Sequence, residues 1–266
     1  MRRFRIAVMI ALCVAALAAF TWAAQAPAST AAASDVKLIE DLVYANRILV
    51  DQDVLDGFGH VSARSDKDPS RFLMSRSMAP GLVTSGDIME FNMEGEAIDA
   101  RGRAVYLERY IHAAIYRVRP DVKAIVHSHS PDVIPFGVTG TALRPLYHMS
   151  AFLGAGAPIF EIQDAAGMTD MLIRNNKLAD ALAKSLGDNS IVLMRGHGFV
   201  AAGQSVPHVV FRAIYTQINA RLQAEAARLG PIKFLSPEET AKASVANDAM
   251  VARPWELWKA RVGKIE

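Results

Sequence analysis

The sequence predicts a single α/β domain in which helices flank a mixed central β-sheet. Long stretches with apolar residues at helical spacing alternate with short β-prone runs, and glycine, proline, aspartate and serine separate them. No repeat, linker or low-complexity stretch interrupts the chain after residue 33. The roughly 235 residues beyond that point suffice for one large domain with its own hydrophobic core.

Four amphipathic stretches predict the helices of this domain. They cover residues 36–55, 108–118, 166–186 and 206–229. Ser34 and Asp35 are the expected N-terminal cap of the first helix. Pro120 ends the second helix, and Gly187 and Gly230 end the third and the fourth.

Short β-prone runs between these helices predict the strands of the sheet. They lie at residues 60–64, 71–74, 87–91, 104–106, 121–126, 190–194 and 199–202. The run over 121–126 leads directly into His127. Residues 231–266 are expected to form a weakly helical tail, with Trp255 and Trp258 at its surface.

The first 28 residues have the layout of a secretory signal peptide. Arg2, Arg3 and Arg5 precede an uncharged apolar run over residues 6–20, and small residues follow up to Ala33. The run is short for a membrane span, which needs about 20 residues, and an uncleaved anchor is the alternative. We expect cleavage between residues 26 and 33, a periplasmic or secreted protein, and no membrane association once the leader is removed.

Cysteine content and charge narrow the possible chemistry of the mature chain. The single cysteine, Cys13, lies in the leader, so thiolate metal ligands and cysteine catalysis are excluded. A mature chain without cysteine fits an oxidising compartment. Loss of the three leader arginines changes the net charge from +2 to −1, because 26 basic and 27 acidic residues remain. Nothing in this balance indicates a nucleic-acid partner.

Three histidines predict a metal site. His127 and His129 are two residues apart on a predicted strand and therefore project from the same face. His197 lies in the turn Gly196-His197-Gly198. Three neutral imidazoles bind a divalent ion such as Zn²⁺ or Mn²⁺ and leave coordination positions open, as in catalytic sites. The alternative is a chance pattern with one imidazole at the surface and one in the core.

Several motifs together resemble the class II aldolase/adducin family. Residues 59–64, Gly-His-Val-Ser-Ala-Arg, are similar to that family's Gly-Asn-Val-Ser-x-Arg element. Glu108 and His112 match its Glu-x-x-x-His helix, and the three histidines above occupy its metal positions. The resemblance covers residues 35–230 and implies the family's three-layer fold and a ring-shaped homotetramer.

The resemblance also implies the roles of the site residues. It assigns one divalent ion per subunit, zinc or manganese, to His127, His129 and His197. It assigns proton transfer to Glu108, for which an ordinary acid in the first turn of a helix is the alternative. His112, one turn later, either orients that carboxylate or is buried structure.

Departures from the sugar-phosphate aldolases of this family bear on the substrate. Tyr106 and Leu107 replace two phosphate-binding serines, and residues 74–77, Met-Ser-Arg-Ser, replace a phosphate loop. We therefore expect an unphosphorylated carboxylate, with guanidinium groups as candidate binding forks. For Arg64 a structural ion pair is the alternative. The candidate substrate-binding residues are Arg64, Ser75, Arg76, His60 and Tyr106.

Residues 72–77, 106–112, 127–131, 133–137 and 147–149 most resemble the branch of the family that includes 3-hydroxy-2-methylpyridine-4,5-dicarboxylate decarboxylase. This resemblance implies a carbon–carbon lyase that decarboxylates a hydroxylated aromatic or heteroaromatic carboxylate. An aldolase or epimerase acting on an unphosphorylated hydroxy-carbonyl compound is the first alternative. A non-catalytic, adducin-like binding protein is the second, which four convergent polar groups disfavour.

Overall fold

The computed structural model describes residues 30–265, so the predicted leader, residues 1–28, lies outside the described residues. A seven-stranded sheet organises this part of the chain, in the order β3-β2-β1-β4-β7-β6-β5. Its strands are β1 (His60–Arg64), β2 (Arg71–Ser75), β3 (Ile88–Asn92), β4 (Ala124–Ser128), β5 (Ile159–Phe160), β6 (Ile191–Met194) and β7 (Gly198–Gly203). Neighbouring strands are antiparallel except β5 and β6, which are parallel, so the predicted mixed sheet is confirmed.

Helices cover both faces of this sheet. They are α1 (Thr30–Asp51), α2 (Arg109–Val118), α3 (Ile134–Val138), α4 (Ile162–Ala166), α5 (Asn176–Leu186), α6 (Val206–Leu229), α7 (Pro237–Asp248) and α8 (Ala252–Val262). Between residues 30 and 265 we find no helix with the length and hydrophobicity to cross a membrane.

The central strands β4 and β7 bury side chains on both faces. Val126 and Phe199 belong to a core that also contains residues of α1, α6 and α8. Their neighbours Ile125 and Val200 belong to a second core, built with residues of α2 and α5. Because successive side chains of a strand point to opposite faces, the sheet is the middle layer of a three-layer α/β domain.

Three elements differ from the sequence predictions. Helix α1 begins at Thr30 rather than after the expected Ser34 cap, because Thr-Ala-Ala-Ala before that cap continues the helix. Residues 104–106 form no strand, although the Ala104 carbonyl accepts a hydrogen bond of 2.9 Å from the backbone N–H of the distant Ser77. Of the helix predicted over 166–186, residues 176–186 are helical and form α5, whereas residues 167–175 are a loop that follows the end of α4 at Ala166.

The tail differs in its packing rather than in its helices. Trp255 and Trp258 were expected at the surface but are only 3% and 5% exposed. Both belong to the core that contains α1 and α6, and the Trp258 ring lies 6.5 Å from that of Tyr215 on α6. The tail is therefore an integral part of the domain.

Candidate metal centre

The end of β4 and the start of β7 bring the three predicted histidines together. His127 is the fourth residue of β4 and shares a sheet face with Ile125, the face that α2 covers. His129 follows the strand, and His197 immediately precedes β7. Since Ser128 pairs with Phe199, the antiparallel register brings His129 opposite Gly198, next to His197 in the chain.

The three imidazoles converge through their Nε2 atoms. The His129 Nε2 atom lies 3.0 Å from that of His127 and 3.1 Å from that of His197. Glu108, at the start of α2, places its Oε2 atom 3.5 Å from the His127 Nε2 and 3.4 Å from the His197 Nε2. The four potential ligand atoms all lie within 4.8 Å of one another.

Backbone carbonyls determine which ring nitrogens point to the centre of this cluster as acceptors. The His127 Nδ1 atom lies 3.1 Å from the Phe199 carbonyl oxygen, and the His197 Nδ1 atom lies 3.0 Å from the Met171 carbonyl oxygen. A carbonyl only accepts, so both Nδ1 atoms carry the proton that they donate. In the neutral rings the Nε2 lone pairs therefore face the other ligand atoms, as in metal-binding histidines.

Converging lone pairs and a carboxylate need a positive charge between them. Burial lowers the pKa of His197, but Glu108 and the Met171 carbonyl outweigh it, so the net shift is upward. Burial raises the pKa of Glu108, but His127 and His197 outweigh it and lower the pKa overall. Both shifts arise from the contact between the carboxylate and the imidazoles. Three imidazole nitrogens and one carboxylate oxygen are a donor set that suits a divalent ion such as Zn²⁺ or Mn²⁺.

The Glu108 carboxylate faces the histidines rather than its own helix. Glu108 is the N-cap residue of α2, yet its side chain makes no capping hydrogen bond there. Instead its Oε1 atom accepts a hydrogen bond of 2.8 Å from the backbone N–H of Ile173. This contact fixes one oxygen and leaves Oε2 directed at the cluster. As placed, the side chain does not act as an ordinary first-turn acid.

A cavity of about 430 Å³ opens onto the cluster. Its wall combines glycine, apolar and aromatic side chains with a few polar groups, as ligand sites usually do. The lining residues are Gly57, Phe58, Gly59, His60, Ser77, Met78, Ala79, Tyr106, Leu107, Glu108, His129 and Leu172. Of the five predicted substrate-binding residues, His60 and Tyr106 line this cavity.

The other three do not line it. The Arg64 guanidinium donates hydrogen bonds to the carbonyls of Tyr116, Val122, Pro69 and Arg119, so it braces the backbone around β1. The Nε of Arg76 is paired with Asp87 at 2.7 Å. Ser75 is buried behind Tyr106, with 3.3 Å between the two hydroxyl oxygens. The structure therefore does not place the two expected guanidinium forks at the site.

The segment between α4 and α5 contributes contacts that the sequence reading missed. The Met171 carbonyl orients His197, the Ile173 N–H holds Glu108, and Leu172 lines the cavity. Met171 has a left-handed backbone, with φ at +73°. The helical spacing of apolar residues predicts one continuous helix over 166–186, and this prediction therefore did not include the loop. A signal was present in Gly167, which ends α4 with φ at +68°.

Gly198 permits the close approach of β7 to β4 that the centre requires. A Cβ added at this residue would lie 2.0 Å from the Ser128 carbonyl oxygen. We predict that Gly198→Ala lowers the free energy of unfolding by about 1–3 kcal/mol or more, as overpacking does. Denaturant unfolding measures the loss. Gly140→Ala, where the added Cβ meets open space, is the control. Equal stability of the two variants would contradict the prediction.

The sequence of this chain is similar to a known domain family and to characterised decarboxylases. Residues 40–224 match the Class II Aldolase and Adducin N-terminal domain. The chain is 40% identical over 229 residues to the decarboxylase tropJ of Talaromyces stipitatus, covering 77% of this chain and 86% of that protein. It is 28% identical over 206 residues to a 3,4-dihydroxyphthalate decarboxylase of Arthrobacter keyseri, covering 72% and 79%.

A solved structure shows the same fold. An aldolase II superfamily protein from Pseudomonas syringae matches with a TM-score of 0.71 at 22% identity, over 85% of this chain and 92% of that chain. The domain match spans more than half of the sequence and includes Glu108 and all three histidines of the cluster. The chain therefore belongs to the class II aldolase and adducin family.

Proposed function

We propose that this class II aldolase-type lyase decarboxylates a hydroxylated aromatic or heteroaromatic carboxylate with the help of one divalent metal ion. The observation that carries the proposal is the convergence of Glu108 and three imidazole Nε2 atoms beside a cavity with aromatic and apolar walls. A purely structural role gives no reason to bring four such groups together.

His127, His129 and His197 would hold the ion through their Nε2 atoms. Zn²⁺ or Mn²⁺ suits a site of imidazole nitrogens, and three protein ligands leave room for substrate oxygens. When bound, the ion supplies Lewis acidity toward a ring hydroxyl and an adjacent carboxylate oxygen. The carbonyls of Phe199 and Met171 keep two of the rings in the required tautomer.

Glu108 would carry the proton of the reaction. In a decarboxylation the carbon–carbon bond breaks, its electron pair stays with the substrate carbon, and that carbon then takes a proton. The Glu108 carboxylate can receive the proton that the substrate hydroxyl loses on binding and deliver it to that carbon, which restores the carboxylate. Its Oε1 contact with Ile173 holds it in position for both transfers.

The cavity wall supports an unphosphorylated, flat substrate. By the resemblance, Tyr106 and Leu107 occupy the positions of two phosphate-binding serines of the sugar-phosphate aldolases, and both line the cavity. The Tyr106 hydroxyl is occupied, because it donates a hydrogen bond of 2.6 Å to the Met78 carbonyl. Two similar proteins are named decarboxylases, and the name of one specifies a dihydroxylated aromatic dicarboxylate.

A CO₂-release screen on the zinc- or manganese-loaded protein tests this proposal. We expect CO₂ from hydroxylated aromatic acids such as 3,4-dihydroxyphthalate, no CO₂ from phthalate, and loss of activity after treatment with a chelator. Unphosphorylated hydroxy-carbonyl compounds serve as the comparison panel. Their cleavage or epimerisation, with no CO₂ from any hydroxylated acid, would replace the proposal by the aldolase or epimerase alternative.

We also propose that residues 1–28 direct export to the periplasm or the medium and are then removed. The layout of the leader supports this, and the homotetramer implied by the resemblance likewise stays a prediction. Mass spectrometry of the protein from its native host should give a new N-terminus between about Pro27 and Ser34. An intact Met1 in a cytosolic fraction would contradict export.

A further inference from the structure

A buried chain of hydrogen bonds runs from α2 to the cavity. The Tyr116 hydroxyl lies 2.8 Å from the Ser62 Oγ, which lies 2.6 Å from the His112 Nδ1. The His112 Nε2 lies 2.7 Å from the Nδ1 of His60. All four side chains are at least 96% buried. His112 and Tyr116, four residues apart, lie on one face of α2, and His60 and Ser62, two residues apart, lie on one face of β1. These two polar faces contact each other.

The Tyr116 end sets the direction of this chain. Within the described residues, the hydroxyl of Tyr116 has Ser62 as its only hydrogen-bond partner. Burial raises the pKa of Tyr116, so the phenol keeps its proton. A buried O–H with a single neighbour donates to it, because an unused buried donor costs about 1–3 kcal/mol. Ser62 therefore accepts from Tyr116 and gives its own proton to the Nδ1 of His112.

The same logic continues to the cavity. Burial lowers the pKa of His112 to about 3, so its ring is neutral. A neutral ring that accepts at Nδ1 carries its proton at Nε2 and donates it to the Nδ1 of His60. The Nδ1 of His60 accepts this hydrogen bond and therefore carries no proton of its own. The one ring proton of His60 is then at Nε2, the nitrogen left for a ligand.

We infer that Tyr116, Ser62 and His112 are positioning residues that hold His60 in its Nε2–H tautomer. The cavity therefore presents a hydrogen-bond donor at His60, and the ligand atom it takes is a substrate oxygen that accepts. A lone pair at this place would repel the carboxylate of a substrate and that of Glu108, which also lines the cavity. The identity of that oxygen rests on the proposed function, whereas the tautomer does not.

Tautomer-resolved NMR tests the inference on zinc-loaded protein with ¹⁵N-labelled histidine. Two-bond ¹H–¹⁵N correlations distinguish the two tautomers, and His60→Gln identifies the His60 signal by its disappearance. We expect His60 and His112 of the wild type to carry the proton at Nε2. A proton at the Nδ1 of His60 overturns the inference without any variant.

Variants test whether the chain causes this tautomer. Ser62→Ala removes the hydroxyl that donates to His112, whereas Ser62→Thr keeps one. Tyr116→Phe removes only the terminal hydroxyl, and Tyr110→Phe on the same helix is its control, because Tyr110 bonds Arg109 outside the chain. We expect mixed His60 tautomers in Ser62→Ala and Tyr116→Phe, and the wild-type tautomer in Ser62→Thr and Tyr110→Phe.

An unchanged His60 tautomer in both disrupting variants would show that the chain does not determine it. Because this readout needs no substrate, its failure is distinguishable from that of the proposed function. A protein that releases CO₂ with the opposite tautomer keeps the proposed function and loses the inference. A protein with the expected tautomer that releases no CO₂ keeps the inference and loses the proposed function.

Discussion

Glu108→Gln should lower turnover by about 10²–10⁴, the usual scale for losing general acid–base catalysis. The amide keeps the shape of the side chain and can still accept the hydrogen bond from the Ile173 N–H, but it no longer titrates. Metal content should stay near that of the wild type, because three imidazoles remain. Steady-state kinetics on any accepted substrate, together with metal analysis, measure both outcomes.

A matched control separates this role from that of an ordinary helix acid. Glu238 lies in the first turn of α7, and its side chain is 78% exposed. Glu238→Gln should change stability by a few tenths of a kcal/mol at most and leave turnover unchanged. If Glu108→Gln behaves like this control, with activity within about threefold of the wild type, Glu108 has no part in the mechanism.

Removal of two imidazoles should have the second large effect. The variant with both His127→Ala and His129→Ala should lose stoichiometric metal and, with it, turnover. One imidazole and one carboxylate remain, which is a poor site for Zn²⁺. Elemental analysis of the purified protein measures the loss. His148→Ala, which removes an exposed histidine outside the cavity, is the control for metal content.

Packing has to be separated from ligation in this experiment. His127 is fully buried, so its removal also leaves a void. His129→Ala alone truncates a half-buried ring and should weaken metal binding without unfolding the domain. Full metal retention in the double variant would exclude these histidines as ligands.

Local patterns predicted the parts of the fold whose causes are local. Helix α6 has the bounds that the sequence predicted, because Ser205 caps it, Pro207 suits its first turn and Gly230 follows its end. Alternation along β4 placed His127 and His129 on one side of the chain, and their Nε2 atoms lie 3.0 Å apart. Each of these predictions needed only neighbours in sequence.

Predictions failed where a distant partner decides the conformation. Residues 166–186 have helical spacing throughout, yet the chain leaves the helix between Gly167 and Asn175. The Met171 carbonyl of this loop accepts a hydrogen bond from His197, 26 positions later. The Ile173 N–H donates one to Glu108, 65 positions earlier. Trp258 likewise lies in a core shared with α1. Periodicity reports that a side chain has an apolar face, not which partner covers it.

Residue identity alone specifies the chemical groups available to the site: three imidazoles, one carboxylate, and no thiol beyond Cys13. The orientation of each group depends on contacts with residues that are distant in the sequence. The carbonyls of Phe199 and Met171 orient the imidazoles so that their Nε2 lone pairs point to one centre. The Arg64 guanidinium, a predicted substrate-binding group, instead donates hydrogen bonds to backbone carbonyls. A hydrogen bond depends on its direction and on a partner that is close in space. The spacing of side chains along the sequence gives neither the direction nor the partner.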